Sequence, residues 1–157
     1  MKKFLILLCS IIIFIPYAFA NDIDTVKTLF NDYVSGANSY SSAIIGFYSP
    51  NAKIIRQVVK PDGQLVNATT NMKTYITQMK LSQSVAKARG YKNFYSNVVV
   101  AKVSNGVKVS ALRQPVGENY RLKIYQIWQR QQNGNWVIVE ELMQTKEQIF
   151  LRYADNK

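Results

Sequence analysis

The sequence predicts an α+β domain in which about three N-terminal helices pack on the concave face of a strongly twisted antiparallel sheet. Two Asn-Gly dipeptides, Asn105-Gly106 and Asn133-Gly134, each separate two extended, apolar-rich runs, which is the strongest short-range signal for a β-hairpin. We expect type I′ turns, with positive φ at both central residues. Upstream of the hairpins, apolar residues recur at helical spacing. A helix laid across such a sheet encloses a cone with an apolar interior.

Two helices are expected before the first strand. The first covers about residues 23–37, where one face repeats apolar side chains, with Asp22 as a candidate N-cap and Gly36 with Asn38 as a stop. Its apolar positions are Ile23, Val26, Phe30, Tyr33, Val34 and Ala37. A short second helix covers about residues 41–48, and Pro50 is expected to end it.

A strand at 53–59, a turn at 60–63 and a third helix come next. Thr69 or Thr70 can cap this helix, and its apolar face consists of Met72, Tyr75, Ile76 and Met79. Residues 81–90 are ambiguous and are compatible with a loop. The two hairpins pair 98–103 with 107–112 and 120–131 with 136–143. Residues 145–153 either form a terminal helix or extend the last strand.

The first twenty residues have the pattern of a cleaved export signal. Lys2 and Lys3 precede an apolar run at 4–15, and Pro16 and the small-x-small tripeptide at 18–20 predict maturation before Asn21. The alternative is an uncleaved membrane anchor, for which the 17 residues from 4 to 20 are at the short limit. The prediction is a periplasmic or secreted protein with one domain, residues 21–157, and without Cys9, the single cysteine.

The mature chain is basic and lacks several kinds of chemistry. Two of the 20 Lys and Arg residues leave with the signal, so 18 remain against 9 acidic residues. This balance favours weak, non-specific contact with anionic surfaces, but no motif for specific nucleic-acid binding is present. With no histidine and no mature cysteine, we expect no metal, no cofactor and no Ser-His or Cys-His nucleophile.

Three segments resemble the nuclear-transport-factor-2-like superfamily, which includes ketosteroid isomerases, SnoaL-type cyclases and scytalone dehydratases. They are residues 38–52 (NSYSSAIIGFYSPNA), Pro61-Asp62-Gly63 with the helix at 72–79, and residues 127–139 (IWQRQQNGNWVIV). The resemblance covers about residues 24–146 and implies the cone-shaped fold. It does not decide the function, because the fold hosts enzymes, binders and assembly modules.

The catalytic residues of those enzymes do not carry over. The resemblance places approximately Arg56 where isomerases have an aspartate base, and an arginine stays charged and cannot abstract a proton. The isomerase tyrosine falls near Asn31, with Tyr33 close by. Where many relatives have a histidine, this chain has Glu140-Glu141. We therefore expect no catalytic residue of the known branches.

Five tyrosines and one glutamate are the candidate ligand-binding residues: Tyr33, Tyr48, Tyr75, Tyr95, Tyr125 and Glu140. Tyrosine combines a flat apolar body with a polar tip, which suits an apolar or amphipathic ligand in the cone. Strand alternation allows one of Glu140 and Glu141 to point inward. The alternative is that the tyrosines pack in the core and that the glutamates pair with basic residues across the strands.

Three functions are compatible with the sequence. The leading hypothesis is an exported, non-enzymatic domain that binds such a ligand. The second is an interaction module of the cell envelope that forms a homodimer through the sheet face, using exposed residues of 98–103 and 107–112. The third is a SnoaL-like isomerase or cyclase in which Glu140 or a tyrosine transfers a proton.

Overall fold

The computed structural model describes the backbone of residues 17–155 and the side chains from Asp22 onward. Two α-helices, two 3₁₀ helices and six strands are present in this range. The helices are α1 (Tyr17–Asn38), the first 3₁₀ helix (Ser42–Phe47), α2 (Met72–Ala88) and the second 3₁₀ helix (Gln148–Tyr153). The strands are β1 (Tyr48–Val59), β2 (Leu65–Thr70), β3 (Asn93–Val103), β4 (Gly106–Pro115), β5 (Leu122–Arg130) and β6 (Trp136–Thr145).

The six strands form one sheet in the order β2-β1-β6-β5-β4-β3. Strands β3 to β6 form an antiparallel meander that contains both predicted hairpins, which confirms the α+β architecture. The sheet is mixed, however, because β1 and β6 are parallel. The meander starts with β3 at the far edge of the sheet, and its last strand, β6, lies beside β1 near the centre. Strands β6 and β1 run in the same direction.

Helix α1 extends beyond the predicted range at its N-terminus. It begins at Tyr17, so Asp22 lies inside the helix and is not its N-cap. The predicted export signal lies mostly outside the described residues, and its cleavage stays a prediction. No helix in the described part of the chain combines the length and the apolar character needed to cross a bilayer.

Helix α1 ends at Asn38, within one residue of the C-terminal end that the sequence predicted. Two hydrogen bonds close this end, with Ser41 N–H donating to Gly36 C=O and Tyr40 N–H donating to Ala37 C=O. Tyr40, with φ of 60°, takes the left-handed position that usually belongs to glycine. Gly36 instead faces the first 3₁₀ helix, where a Cβ would lie 2.7 Å from Ile44 Cγ2.

Pro50 lies inside β1 and does not end the preceding helix, which stops at Phe47. The β1–β6 pairing skips from Tyr48 to Lys53, so Pro50 occupies an irregular stretch where its missing N–H is tolerated. The caps predicted for the third helix are also wrong, because Thr69 and Thr70 belong to β2.

Helix α2 is capped by Asn71, whose Oδ1 accepts a hydrogen bond from Thr74 N–H. It continues through residues 81–88, part of the stretch 81–90 whose structure the sequence left ambiguous. The helix stops at Gly90, with φ of 60°, where Tyr91 N–H donates to Ala86 C=O and Gly90 N–H donates to Lys87 C=O. No glycine or proline interrupts the chain between Met72 and this stop.

Neither hairpin uses a type I′ turn. Tyr40 and Asn97 are the described non-glycine residues with positive φ, so Asn105 and Asn133 lack the conformation that this turn requires. Gly106 (φ 147°) instead begins β4, and Gly134 (φ 85°) closes a longer loop in which Gln131 N–H donates to Asn135 C=O. The two Asn-Gly dipeptides predicted the positions of both hairpins correctly. Within each dipeptide, however, only the glycine has a positive φ.

Edge strand β3 contains a β-bulge. Its pairing with β4 shifts between Ser96 and Val99, and Asn97 adopts a left-handed φ of 52° there. The bulge bends the edge of the sheet and leaves Asn97 and Val98 outside the ladder.

The core lies between the sheet and the helices. Val26 and Phe30 of α1 and Met72 of α2 contact inward residues of the sheet, including Trp128 and Ile138, which are fully buried. Along β4, buried side chains on the concave face alternate regularly with half-buried side chains on the other face.

A substitution at Gly36 tests the packing of α1 on the 3₁₀ helix. Gly36→Ala is expected to lower the free energy of unfolding by about 1–2 kcal/mol, because overpacking against the stiff Ile44 side chain outweighs the better helix propensity of alanine. The matched control is Gly46→Ala, since a Cβ at Gly46 meets nothing within 4 Å. Urea denaturation measures both, and equal stabilities of the two variants would contradict the contact.

Candidate functional site

A buried carboxylate, that of Glu141, is the centre of the polar cluster inside the cone. Its side chain has 0% exposure. Oε2 accepts hydrogen bonds from Tyr48 OH at 2.6 Å, Gln126 Nε2 at 2.9 Å and Tyr33 OH at 3.2 Å. Oε1 accepts one from Arg56 Nη1 at 3.0 Å, which is also a salt bridge. Four donors therefore surround one carboxylate, and three of them share a single oxygen.

Tyr75 and Trp128 extend the cluster on two sides. Tyr75 OH lies 3.2 Å from Tyr48 OH and donates to it, since the Tyr48 proton is used on Glu141. On the other side, Trp128 Nε1–H donates to Gln126 Oε1 at 3.2 Å, which orients the Gln126 amide toward Glu141. The cluster thus connects α1, α2, β1, β5 and β6 through side chains alone.

A β-bulge decides which of the two adjacent glutamates points inward. Trp128 pairs with Ile138 and Ile127 pairs with Glu140, so Val139 is an extra residue in β6. Unbroken alternation from Ile138 would have placed Glu140 in the cone, but the extra residue moves Glu141 there. The inward orientation predicted for Glu140 is therefore wrong, because the bulge reverses the parity of the strand.

Arg56 is the counter-ion of Glu141 and is itself buried. Burial alone would lower the pKa of Arg56, but the attraction of the Glu141 carboxylate more than offsets this, and the pKa is raised. The guanidinium carbon also lies 5.2 Å from the centre of the Tyr75 ring, a cation–π distance. The charge of Arg56 is thus satisfied by one carboxylate and one aromatic face.

The three tyrosines of the cluster keep their hydroxyl protons near neutral pH and act as hydrogen-bond donors. Burial raises the pKa of Tyr33, Tyr48 and Tyr75, and the nearby Glu141 carboxylate raises each of them further. A tyrosine in this state cannot act as a general base. Glu141 is unsuitable for the same task, because its lone pairs are occupied and no solvent reaches it.

The structure brings together three of the six predicted site residues: Tyr33, Tyr48 and Tyr75. Tyr95 is nearby on β3, where its ring packs edge-on against Phe30 at 5.6 Å. Burial raises the pKa of Tyr95 well above its ordinary range. Tyr125 and Glu140 lie on the opposite face of the sheet, joined by a hydrogen bond of 2.7 Å from Tyr125 OH to Glu140 Oε1.

Sequence reasoning missed Arg56, Gln126 and Glu141 as members of this cluster. A sequence signal existed for Arg56 and Gln126. Each is a polar residue at an inward position of its strand, with an apolar residue two positions before it and another two positions after it. Ile54-x-Arg56-x-Val58 and Ile124-x-Gln126-x-Trp128 both have this pattern. For Glu141 the pattern is hidden by the bulge. No group of three metal-ligand side chains exists among residues 22–155.

The convex side of the sheet, here called the outer face, carries a second group of side chains. The strand registers place Val99, Ser110, Tyr125 and Leu142 in one row across β3 to β6. A neighbouring row contains Lys108, Ile127 and Glu140. Val99 is 60% exposed, and Phe94, which also lies on this face, is 66% exposed.

Lys108 and Glu140 flank Tyr125 on the outer face. Lys108 Nζ lies 4.3 Å from the centre of the Tyr125 ring. Burial, followed by the hydrogen bond to Glu140, raises the pKa of Tyr125 to about 12. This trio thus brings both charge signs to the middle of the outer face, beside apolar Ile127 and Leu142.

A surface groove of about 690 Å³ lies outside the cone, between β2 and the second 3₁₀ helix. Leu65, Asn67 and Leu151 are among its lining residues. None of the six predicted site residues contributes to it.

The architecture described above defines the nuclear-transport-factor-2-like class of folds. An NTF2-like protein of unknown function from Pseudomonas putida KT2440 is similar, with a TM-score of 0.65, 10% identity, and coverage of 80% of this chain and 87% of that chain. An NTF2-like protein with a cystatin-like fold from Novosphingobium aromaticivorans gives 0.58 at 11% identity, with coverage of 83% and 86%. A provisional ketosteroid isomerase from Shewanella frigidimarina gives 0.56 at 12% identity, with coverage of 74% and 91%.

This chain therefore has the nuclear-transport-factor-2-like fold that the sequence predicted. No family model matches its sequence, and no curated protein matches it. Identities of 10–12% establish the fold and leave the activity to be argued from this chain's own residues.

Substituting Glu141 tests how much its buried carboxylate contributes to the stability of the fold. Glu141→Gln keeps the shape but leaves buried Arg56 without an anion, so the free energy of unfolding should fall by about 3–5 kcal/mol. The control is Glu140→Gln, whose Oε1 still accepts the partly exposed hydrogen bond from Tyr125 OH without the negative charge, and it should cost about 1 kcal/mol or less. Chemical denaturation of both variants measures the difference, and similar losses would show that the bulge does not place Glu141 in the core.

Alkaline pH should destabilise the protein through the buried tyrosines. The pKa values of Tyr33, Tyr48 and Tyr75 are raised in the folded state, so this stabilisation is complete below their ordinary pKa of about 10 and is lost as the pH rises further. Denaturation between pH 8 and pH 11 should show the decline above pH 10. Tyr48→Phe should decline less steeply, and an unchanged slope would contradict the burial of its hydroxyl.

Proposed function

We propose that this protein is a non-enzymatic interaction module that forms a homodimer through the outer face of its sheet. The observation that carries the proposal is the exposure of two large apolar side chains, Phe94 and Val99, on the face of the sheet that also carries Leu112, Tyr125, Ile127 and Leu142. A contiguous apolar patch with a polar rim is typical of a protein-binding surface.

The interior of the cone offers less support for the other two functions. A ligand would need the hydroxyls of Tyr33, Tyr48 and Tyr75, but all three are engaged with one another and with Glu141. A proton-transfer enzyme would need an accessible base. Glu140 lies on the outer face, and Glu141 is enclosed by its donors.

The charges on the outer face favour a second copy of the same chain as the partner. Lys108, Lys123 and Glu140 project from it, so the face holds both signs although the protein as a whole is strongly basic. In a twofold dimer, each residue meets a different residue of the partner, and the lysines of one protomer can meet the glutamate of the other.

The size of the outer face is also adequate. Four strands at about 4.8 Å spacing, each about ten residues long, give a footprint of roughly 600 Å² before side-chain relief is counted. Stable interfaces bury about 800 Å² on each partner. The face is therefore of the right order for a dimer of modest affinity.

A charge on the outer face tests the dimer. Val99→Lys places a lysine on each protomer at a position already 60% exposed, so folding should be unaffected while the dimer dissociation constant rises at least tenfold. Native mass spectrometry and light scattering over a range of concentrations measure it. The control is Val85→Lys on α2, 50% exposed and away from the sheet, which should leave the dimer intact. A monomeric wild type at millimolar concentration would refute the proposal.

A further inference from the structure

The charges of this chain are segregated along the sequence. Between Asp62 and Glu118 there are 55 residues with no acidic side chain and eight basic ones. This segment contains β2, α2, β3 and β4, so none of these elements carries an acidic side chain. The basic residues are Lys73, Lys80, Lys87, Arg89, Lys92, Lys102, Lys108 and Arg113.

Helix α2 has two apolar faces, of which the core uses one. Met72, Tyr75, Ile76 and Met79 point toward the sheet and are buried or half-buried. Leu81 and Val85, four residues apart and therefore on one side of the helix, point away from it. They are 74% and 50% exposed, among the largest exposures of apolar side chains in the described chain.

A row of lysines lies on the flank of α2, about 120° around the helix from this exposed apolar ridge at 100° per residue. Lys73, Lys80 and Lys87 recur every seven residues, so they align along α2, and all three are exposed. Neither of the two ion pairs among the described residues involves them. Arg89 and Lys92 continue the positive charge just beyond the helix.

We propose that the outward side of α2 binds the surface of an anionic lipid bilayer. Leu81 and Val85 would enter the boundary between headgroups and acyl chains, while the row formed by Lys73, Lys80 and Lys87 contacts the lipid phosphates. This combination is typical of helices that lie in the plane of a membrane surface.

The apolar ridge distinguishes a bilayer from nucleic acid as the partner. A nucleic-acid backbone would account for the lysines, but it offers nothing to two exposed aliphatic side chains. Single-stranded nucleic acid is bound with aromatic side chains on which bases stack, and α2 exposes none beside its lysine row. Exposed α2 also lies apart from the outer face, so the membrane contact and the dimer are independent.

The first test places a fluorescent reporter on the ridge. Leu81→Trp in the protein as recovered from cells expressing the full chain should shift its emission to shorter wavelength on vesicles containing phosphatidylglycerol, and not on pure phosphatidylcholine. The matched control is Ile149→Trp, since Ile149 is 58% exposed on the second 3₁₀ helix. Trp128 and Trp136 are common to all variants and cancel in difference spectra.

The same readout distinguishes vesicle binding through the ridge from binding through the N-terminal segment, because the tryptophan reports its own surroundings. Lys80→Gln with Lys87→Gln, in the Leu81→Trp background, should weaken vesicle binding about fivefold for each charge removed, and high salt should have the same effect. An unshifted Leu81→Trp spectrum, or an equal shift at Ile149→Trp, would overturn the proposal.

Two further outcomes would also overturn the membrane proposal, because they would assign the lysine row or the apolar ridge to a different partner. If single-stranded DNA competes fully with the vesicles and Leu81→Ser binds them as well as wild type, the lysines form a general polyanion site. If the Leu81→Trp shift appears without lipid and depends on protein concentration, the ridge is a contact between copies. Val99→Lys should leave the vesicle response unchanged, which distinguishes this proposal from the dimer.

Discussion

The buried ion pair between Glu141 and Arg56 is the constraint on which the interior of this domain depends. A carboxylate with no solvent exposure is tolerated only if its charge is compensated and its lone pairs are filled. Here the compensation comes from β1, and the remaining donors come from α1, β1 and β5. Each of these elements must therefore hold its register for the others to keep their partners. Removing one partner of such a pair leaves an uncompensated buried charge, whereas replacing both by apolar residues of the same volume is often neutral for stability.

The same constraint explains why the aromatic-rich cone is not an open pocket in its deep part. Tyrosine hydroxyls that could orient a ligand are directed toward a charge that belongs to the protein. Tyr33 and Tyr48 donate to Glu141, and Arg56 pairs with the same carboxylate, so these polar groups are already satisfied within the protein.

The fold was largely predictable, since helical spacing and the two Asn-Gly signals are local features that survive in the tertiary structure. The cluster was only partly predictable. Tyr33, Tyr48 and Tyr75 were found because they occupy apolar faces, whose periodicity can be counted. Glu141 was assigned to the wrong side because one extra residue, Val139, reverses alternation, and no local composition announces a bulge. Tyr40 shows the same limit: a tyrosine takes the left-handed position after α1 that usually belongs to glycine, and its residue type does not announce this.

The bulge in β3 has a consequence for solubility. This strand contains the run Val98-Val99-Val100, it lies at the edge of the sheet, and an uninterrupted edge of this composition is a template on which further chains can add without limit. The left-handed Asn97 breaks the ladder immediately before the valines and bends the edge. Open-ended growth along the sheet is thereby discouraged, whereas stacking of one sheet face on another stops at two copies. The conformation of one asparagine thus makes this edge a poorer template for the addition of further strands.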